Sequence, residues 1–298
     1  MKEKILKILI ITFGIITLTS CNKKEPIKFT KIFIDELGET VKLNHTPQRI
    51  ISSAPNITEI LFALGVGDKV VGITKFCNYP PEAKTKEVIG DLINLNFEKI
   101  EKLKPDIVFV TPEGNTKDTY EKLIALDIPV YVINPRSIEG IHRSILNIGK
   151  VLEVEVRADS LVKSLESQLE KLKQTHIPEK HGMFIVSLSP LIVAGGKSFI
   201  NDILRIAKVK NIAGNSQLSY PIFSREEILK QNPEIIIVPF NNDYSKESIL
   251  KVYPEWREIN AIKKNQIIYV NPDLFFRPGP RYIEAIEFLI HSLNNFST

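Results

Sequence analysis

The chain is poor in cysteine: Cys21 and Cys77 are its only two among 298 residues. Neither a disulfide framework nor a Cys-rich zinc site is therefore available to it. Net charge is also scarce, since 39 Lys and Arg against 35 Asp and Glu leave +4. That lacks the basic excess of a nucleic-acid binder. Motifs of common enzyme chemistry are missing. Gly65-Val66-Gly67 followed by Gly72 lacks G-x-G-x-x-G spacing and follows a helical pattern rather than a strand, which argues against a dinucleotide site. Gly196-Lys197-Ser198 ends like a phosphate-binding loop, but Leu191 stands where the first glycine is required. Nucleophile-elbow and H-E-x-x-H motifs do not occur. The five histidines (His45, His142, His176, His181 and His291) are scattered, so no catalytic residue and no metal site is expected.

One apolar run stands out, and it is too short to span a bilayer. Residues 8–18 (ILIITFGIITL) follow Lys2, Lys4 and Lys7 and lead into Leu18-Thr19-Ser20-Cys21, the anatomy of a secretory signal. The small residues before the cysteine resemble a bacterial lipobox, in which that cysteine is lipidated. Residues 1–20 are accordingly expected to be a lipoprotein signal peptide, and 21–27 a polar tether. Removing residues 1–20 deletes three lysines and one glutamate, which lowers the formal charge from +4 to +2. An exported protein facing the periplasm or cell exterior follows, anchored by lipid at Cys21. Cys77 is then left without an intrachain partner, either buried and inert or exposed and reactive.

At 43% hydrophobic and 25% charged, the composition is globular rather than that of a disordered tail or a coiled coil. Short strands are expected at 28–34, 40–43, 50–53 and 70–74. A helix should run from a cap at Asn56 to residue 64, with Glu59 at its third position and Gly65 ending it. Further on come a helix near 96–103 stopped by Pro105, a buried β-branched strand at 107–110, a helix at 119–126 and a strand at 130–133. Residues 137–176 have helical periodicity without proline. As one helix they would span about 60 Å, and even if broken near 153–156, where the pattern weakens, they are long enough to link two lobes.

Beyond this stretch the pattern restarts, with strands at 183–187 and 192–194, a helix at 199–206, and a capping box at Ser224 to Glu227. FEKIEKLKPDIVFV (97–110) aligns without a gap on REEILKQNPEIIIV (225–238), which pairs Glu98 with Glu226. ITEILFALGVGDKVVG (57–72) echoes INDILRIAKVKNIAG (200–214) with a one-residue slip. The fold class is therefore α/β: two pseudo-symmetric Rossmann-like lobes, 28–136 and 177–298, joined by a linking helix at 137–176, with a ligand cleft between them. The first copy is fourteen residues longer between Gly72 and Glu98 than the second between Gly214 and Glu226. That insertion carries Phe76, Cys77, Asn78, Tyr79 and the Pro80-Pro81 pair. In an open α/β sheet, loops at the strand C-termini are where ligands are met. Tyr220, Phe275, Phe276, Arg277 and Arg281 add aromatic and cationic candidates for a large, flat, partly anionic ligand. Core packing of the two phenylalanines and pairing of the arginines stand equally open at this point.

RIISSAPNITEILFALGVGDKVVGIT (49–74), CNYPPEA (77–83), NFEKIEKLKPDIVFV (96–110), YPIFSREEILKQNPEIIIV (220–238) and RPGPRYIEAIE (277–287) together resemble the ABC-importer substrate-binding proteins with a rigid helical backbone. That class serves cobalamin, haem and ferric-siderophore uptake, and CNYPPEA is nearest its cobalamin branch. The resemblance implies a monomeric, non-enzymatic protein that binds a corrinoid, or a haem or iron chelate, as transported ligand and holds no cofactor of its own. It implies ligand contacts at Phe76 and Tyr220, with Leu92 and Leu274 standing where cobalamin binders can carry tryptophan; Phe76, Leu92 and Tyr220, together with Tyr79, Phe275, Phe276 and Arg277 as read from the residues themselves, form the expected ligand-binding set. It also implies docking to the permease through Glu98 and Glu226, which on local grounds are helix-N-terminal acids facing the dipole. A chelatase-like enzyme would instead need a His/Glu pair in the cleft, and an adhesin would have no cleft.

Overall fold

A computed structural model describes residues 31–296. The expected signal peptide, the lipidation site at Cys21, the tether at 21–27 and residues 28–30 lie outside the described residues. The chain opens on an antiparallel hairpin, β1 (Lys31–Ile34) and β2 (Thr40–Leu43). The N-terminal lobe follows: β3 (Ile50–Ser52), α1 (Pro55–Ala63), β4 (Val70–Ile73), β5 (Glu87–Val88), α2 (Phe97–Leu103), β6 (Ile107–Val110), α3 (Lys117–Ala125) and β7 (Val130–Val132). Its sheet is wholly parallel in the order β5-β4-β3-β6-β7.

The 137–176 stretch is two helices, α4 (Ile138–Val151) and α5 (Glu155–Lys173), and not one strut of about 60 Å. They run back along each other. Gly149 meets Ala158 so closely that a Cβ on the glycine would lie 2.5 Å from the alanine methyl, and His142 faces Glu166 further along. The chain turns because Glu153 takes a left-handed conformation (φ 56°), and its carboxylate is held by Lys31 and Thr46. The break falls where the helical pattern weakens at 153–156, while the partners that fix the turn are more than a hundred residues away.

The C-terminal lobe comprises β8 (Lys180–Leu188), β9 (Leu191–Val193), α6 (Phe199–Ile206), β10 (Val209–Asn211), α7 (Arg225–Gln231), β11 (Ile235–Pro239), α8 (Lys246–Val252), α9 (Asn260–Lys263), β12 (Ile267–Val270), α10 (Pro272–Phe275) and α11 (Tyr282–Asn294). Its parallel order is β10-β8-β11-β12, with β9 antiparallel to β8. Matching β3 to β8, β4 to β10, β6 to β11 and β7 to β12 superimposes the two orders, so the sequence repeat is a repeat of topology. It extends to the backbone. α2 and α7 are each seven residues, capped by Asn96 and Ser224 side chains that accept from the N–H three residues on. They end in left-handed Lys104 (φ 44°, ψ 62°) and Asn232 (φ 45°, ψ 62°), just before Pro105 and Pro233.

Side-chain alternation along the central strands divides the interior. Ile107 and Phe109 of β6, like Ile235 and Ile237 of β11, enter a core shared by both lobes, to which α1, α4, α5, α6 and α11 contribute. Val108 and Val110 face an outer N-terminal core, and Ile236 and Val238 an outer C-terminal one built around Trp256. The lobes thus rest on one continuous apolar layer. No helix among the described residues is long and apolar enough to cross a membrane.

Candidate ligand-binding cleft

In each lobe the strand order reverses at the centre, between β3 and β6 and between β8 and β11, and the crevice at the strand C-termini there is the expected ligand position. The loops from those edges enclose a trough. One cavity of about 230 Å³ is walled by Phe76, Leu92 and Glu113 of the N-terminal lobe and by Asp273, Phe276 and Arg277 of the C-terminal lobe. A second, of about 470 Å³, continues it past Glu113 and Phe276 to Arg136, Val186, Ser219 and Tyr220.

Phe76, Leu92, Tyr220 and Phe276 are thus brought together from sequence positions far apart. Phe76 is 44% exposed on the cleft wall, an unusual state for phenylalanine, with the Lys75 ammonium 5.1 Å over its ring. The loop carrying Leu92 is held at both ends. Asn115 donates to the Leu92 carbonyl at 2.9 Å, and Asp91 accepts from the backbone N–H groups of Ile93 (3.0 Å) and Asn94 (2.7 Å). Those two bonds hold the Asp91 carboxyl down at about 2. Phe276 lies edge-on to Phe184, with centroids 5.7 Å apart.

Three of the residues named from sequence are placed otherwise. Phe275 is fully buried and stacks on Phe184 at 5.6 Å, so its ring belongs to the core. Tyr79 lines neither cavity; the Arg281 guanidinium lies 4.0 Å over its ring. Arg277 borders the first cavity, but its guanidinium is already engaged by Asp273, Asn78 Oδ1 (2.7 Å), the Phe76 carbonyl (3.2 Å) and Glu59 (3.5 Å). It is a staple between the Phe76 loop and the C-terminal lobe.

Glu59 is the hub of that staple. The structure overturns the reading of a helix capped by Asn56. Pro55 occupies the first turn of α1, Ala54 is the cap residue without a side-chain bond, and Asn56 and Glu59 are both buried. The Glu59 carboxylate accepts from Arg281 Nε (3.0 Å) and a terminal guanidinium nitrogen (2.7 Å), as well as from Arg277. Burial raises the Glu59 carboxyl and the two guanidiniums pull it back. The arginines of the RPGPR segment are therefore spent on joining α1 to the C-terminal lobe.

Glu98 and Glu226 stand at the second positions of α2 and α7, exposed and equivalent by the repeat. In parallel sheets helix N-termini lie at the strand C-terminal edge, so both acids sit on the side where the cleft opens. Glu98 makes a 2.8 Å pair with Lys102 one turn on. Cys77 is buried against Thr74, and burial raises its thiol.

Sequence reasoning missed Glu59, Glu113 and Arg136. The last two follow β6 and β7 directly, and their position after parallel strands was the available signal. Glu113 opens onto the cleft, while the protein around it raises its carboxyl and Arg136 opposes that rise. No histidine lines either cavity, and the described residues contain no group of three or more metal-ligating side chains.

Comparison with known proteins matches residues 50–274 to the family described as "Periplasmic binding protein". An uncharacterized ABC transporter substrate-binding lipoprotein of Bacillus subtilis, YvrC, is 37% identical over 87% of this chain and 84% of its own length. A vitamin B12-binding protein of Vibrio campbellii is 30% identical over 82% of this chain and 88% of its own. The crystal structure of the periplasmic vitamin B12 binding protein BtuF of Vibrio cholerae superimposes with a TM-score of 0.70 at 26% identity, covering 85% of this chain and 99% of that one.

Proposed function

The chain belongs to the periplasmic binding protein family, and from that membership we propose that it captures a corrinoid in the interlobe cleft and delivers it to an ABC importer. It is an exported substrate-binding protein of the class that serves vitamin B12, haem and siderophore uptake, not an enzyme. The observation that carries the corrinoid reading is the cleft. Phe76 and Leu92 on one lobe and Tyr220 and Phe276 on the other offer flat apolar walls to a disc-shaped ligand. The vitamin B12-binding relatives support the same choice within the class.

Delivery runs through Glu98 and Glu226, which meet basic pockets on the two halves of the permease. Their equivalent places on repeated helices support this pairing, because a pseudo-symmetric protein presents them as a matched pair. The lipid at Cys21 keeps the protein at the membrane, a reading supported by the lipobox-like LTSC and by the lipoprotein relative. The shared core and the Glu59 staple favour small lobe movements over wide hinge closure on ligand capture.

Uptake of labelled cyanocobalamin by cells that depend on this protein tests the proposal. Glu98→Arg with Glu226→Arg should abolish uptake, while the purified variant keeps its affinity for the ligand. A comparable loss of affinity would remove the docking role from both glutamates.

A further inference from the structure

Beside the aromatic trough lies a polar chamber of about 470 Å³ to which the corrinoid reading gives no role. Its walls are Arg136 and Ser137 between β7 and α4, Lys197 before α6, and Gln217 and Ser219 before α7. Arg136 and Ser219 also line the trough, so the two spaces adjoin at that pair.

The chamber carries two uncommitted cations. Arg136 uses Nε to donate to Asn134 Oδ1 at 3.0 Å, and among the described residues no carboxylate lies within ion-pair distance of it. Lys197 has no ion-pair partner among the described residues either. Asp202, the acid on the chamber wall, is occupied: it accepts from the Ile138 N–H at 3.0 Å and pairs with Arg205 at 3.4 Å. On the trough side Arg136 acts electrostatically on Glu113 without pairing with it. Elsewhere in the cleft the cationic side chains have partners; Arg277 and Arg281 are both held by Glu59. Free cations next to an apolar disc-binding trough match a ligand with a flat body and one charged arm. A guanidinium suits a phosphate or carboxylate, because it donates two parallel hydrogen bonds.

We propose that this chamber is a subsite for an anionic arm of the transported ligand, with Arg136 at its mouth and Lys197 on its wall as the recognising cations. For a corrinoid that arm is the phosphodiester of the nucleotide loop, so the proposal rests on the corrinoid reading. The ring lies between the aromatics, and the arm passes Tyr220 and Ser219 to reach Arg136.

Calorimetric titration of the purified protein with cyanocobalamin and with dicyanocobinamide, which lacks the nucleotide arm and its phosphate, tests this. Cyanocobalamin should bind more tightly, by about tenfold for a partly exposed charged contact. Arg136→Gln and Lys197→Gln should each weaken cyanocobalamin severalfold more than cobinamide, and Arg136→Lys, which keeps the charge but not the two parallel hydrogen bonds, should recover only part of the loss. The gap between the two ligands should narrow in about 0.5 M NaCl, where exposed charges are screened. Both side chains are exposed and outside the cores, so folding of the variants is not at risk. Equal affinity for the two corrinoids, with equal losses in the variants, would overturn the subsite and leave the corrinoid reading standing. Failure of both corrinoids to bind would bring down the subsite together with that reading.

Discussion

Replacing Glu59 with alanine should destabilise the protein more than any other single change in or around the cleft. Its side chain is 2% exposed, and those of Arg277 and Arg281 are 11% and 13%, so water screens these pairs little. Removing one partner of a buried ion pair leaves uncompensated charge and costs about 3–5 kcal/mol. Arg277 would keep Asp273, Asn78 and the Phe76 carbonyl. Arg281 would keep mainly the face of Tyr79 at 4.0 Å, so the loss falls chiefly on one guanidinium and the lower end, about 3 kcal/mol, applies. For a chain of this size that corresponds to a fall in Tm of roughly 6–12 °C. Glu59→Gln keeps the volume and one acceptor while removing the charge whose burial raises the carboxyl, and it should cost about half as much. Differential scanning calorimetry of the two variants measures both falls. An alanine variant melting within about 2 °C of the parent would refute the staple as an energetic link between α1 and the C-terminal lobe.

Phe76→Ala combined with Tyr220→Ala should weaken corrinoid binding by roughly 1–3 kcal/mol in equilibrium titration, and unchanged affinity would move the ligand elsewhere. Asp91 is held at about 2, below its ordinary 3.8. Its contribution is therefore complete above about pH 4 and is lost as pH falls toward 2. Asp91→Asn should remove that part of the acid limb, so acid-unfolding curves that overlay the parent's would disprove the turn's role. Cys77, buried with a raised thiol, should resist Ellman's reagent in a native Cys21→Ser protein and react once guanidinium unfolds it. Rapid labelling of the native form would contradict its burial.

What the sequence made legible was local. The stops at Pro105 and Pro233, the capping box at Ser224, and the apolar runs of β6 and β11 are written within a few residues, and their alignment disclosed the two-lobed repeat that the structure extends to the Asn96 cap and the left-handed Lys104 and Asn232. What stayed hidden depends on distant partners. The weakened pattern at 153–156 marked where the helix breaks, but its turning back on Lys31 and Thr46 did not show, and the burial of Glu59 needs arginines more than two hundred residues away. Phe275 and Phe276 are adjacent, and only their placement against Phe184 decides that one ring enters the core and the other lines the cleft. Arg277 was chemically right for an anionic ligand, but the carboxylates that engage it were not visible from the RPGPR segment itself.

The central claim is that the cleft between the lobes holds a corrinoid. Its most direct test is a titration of the purified protein with cyanocobalamin, haem and a ferric siderophore side by side, followed by ligand absorbance. Saturable one-to-one binding of cyanocobalamin, tighter than that of the other two, is the predicted result. Tight binding of haem or the siderophore with none of cyanocobalamin would contradict it.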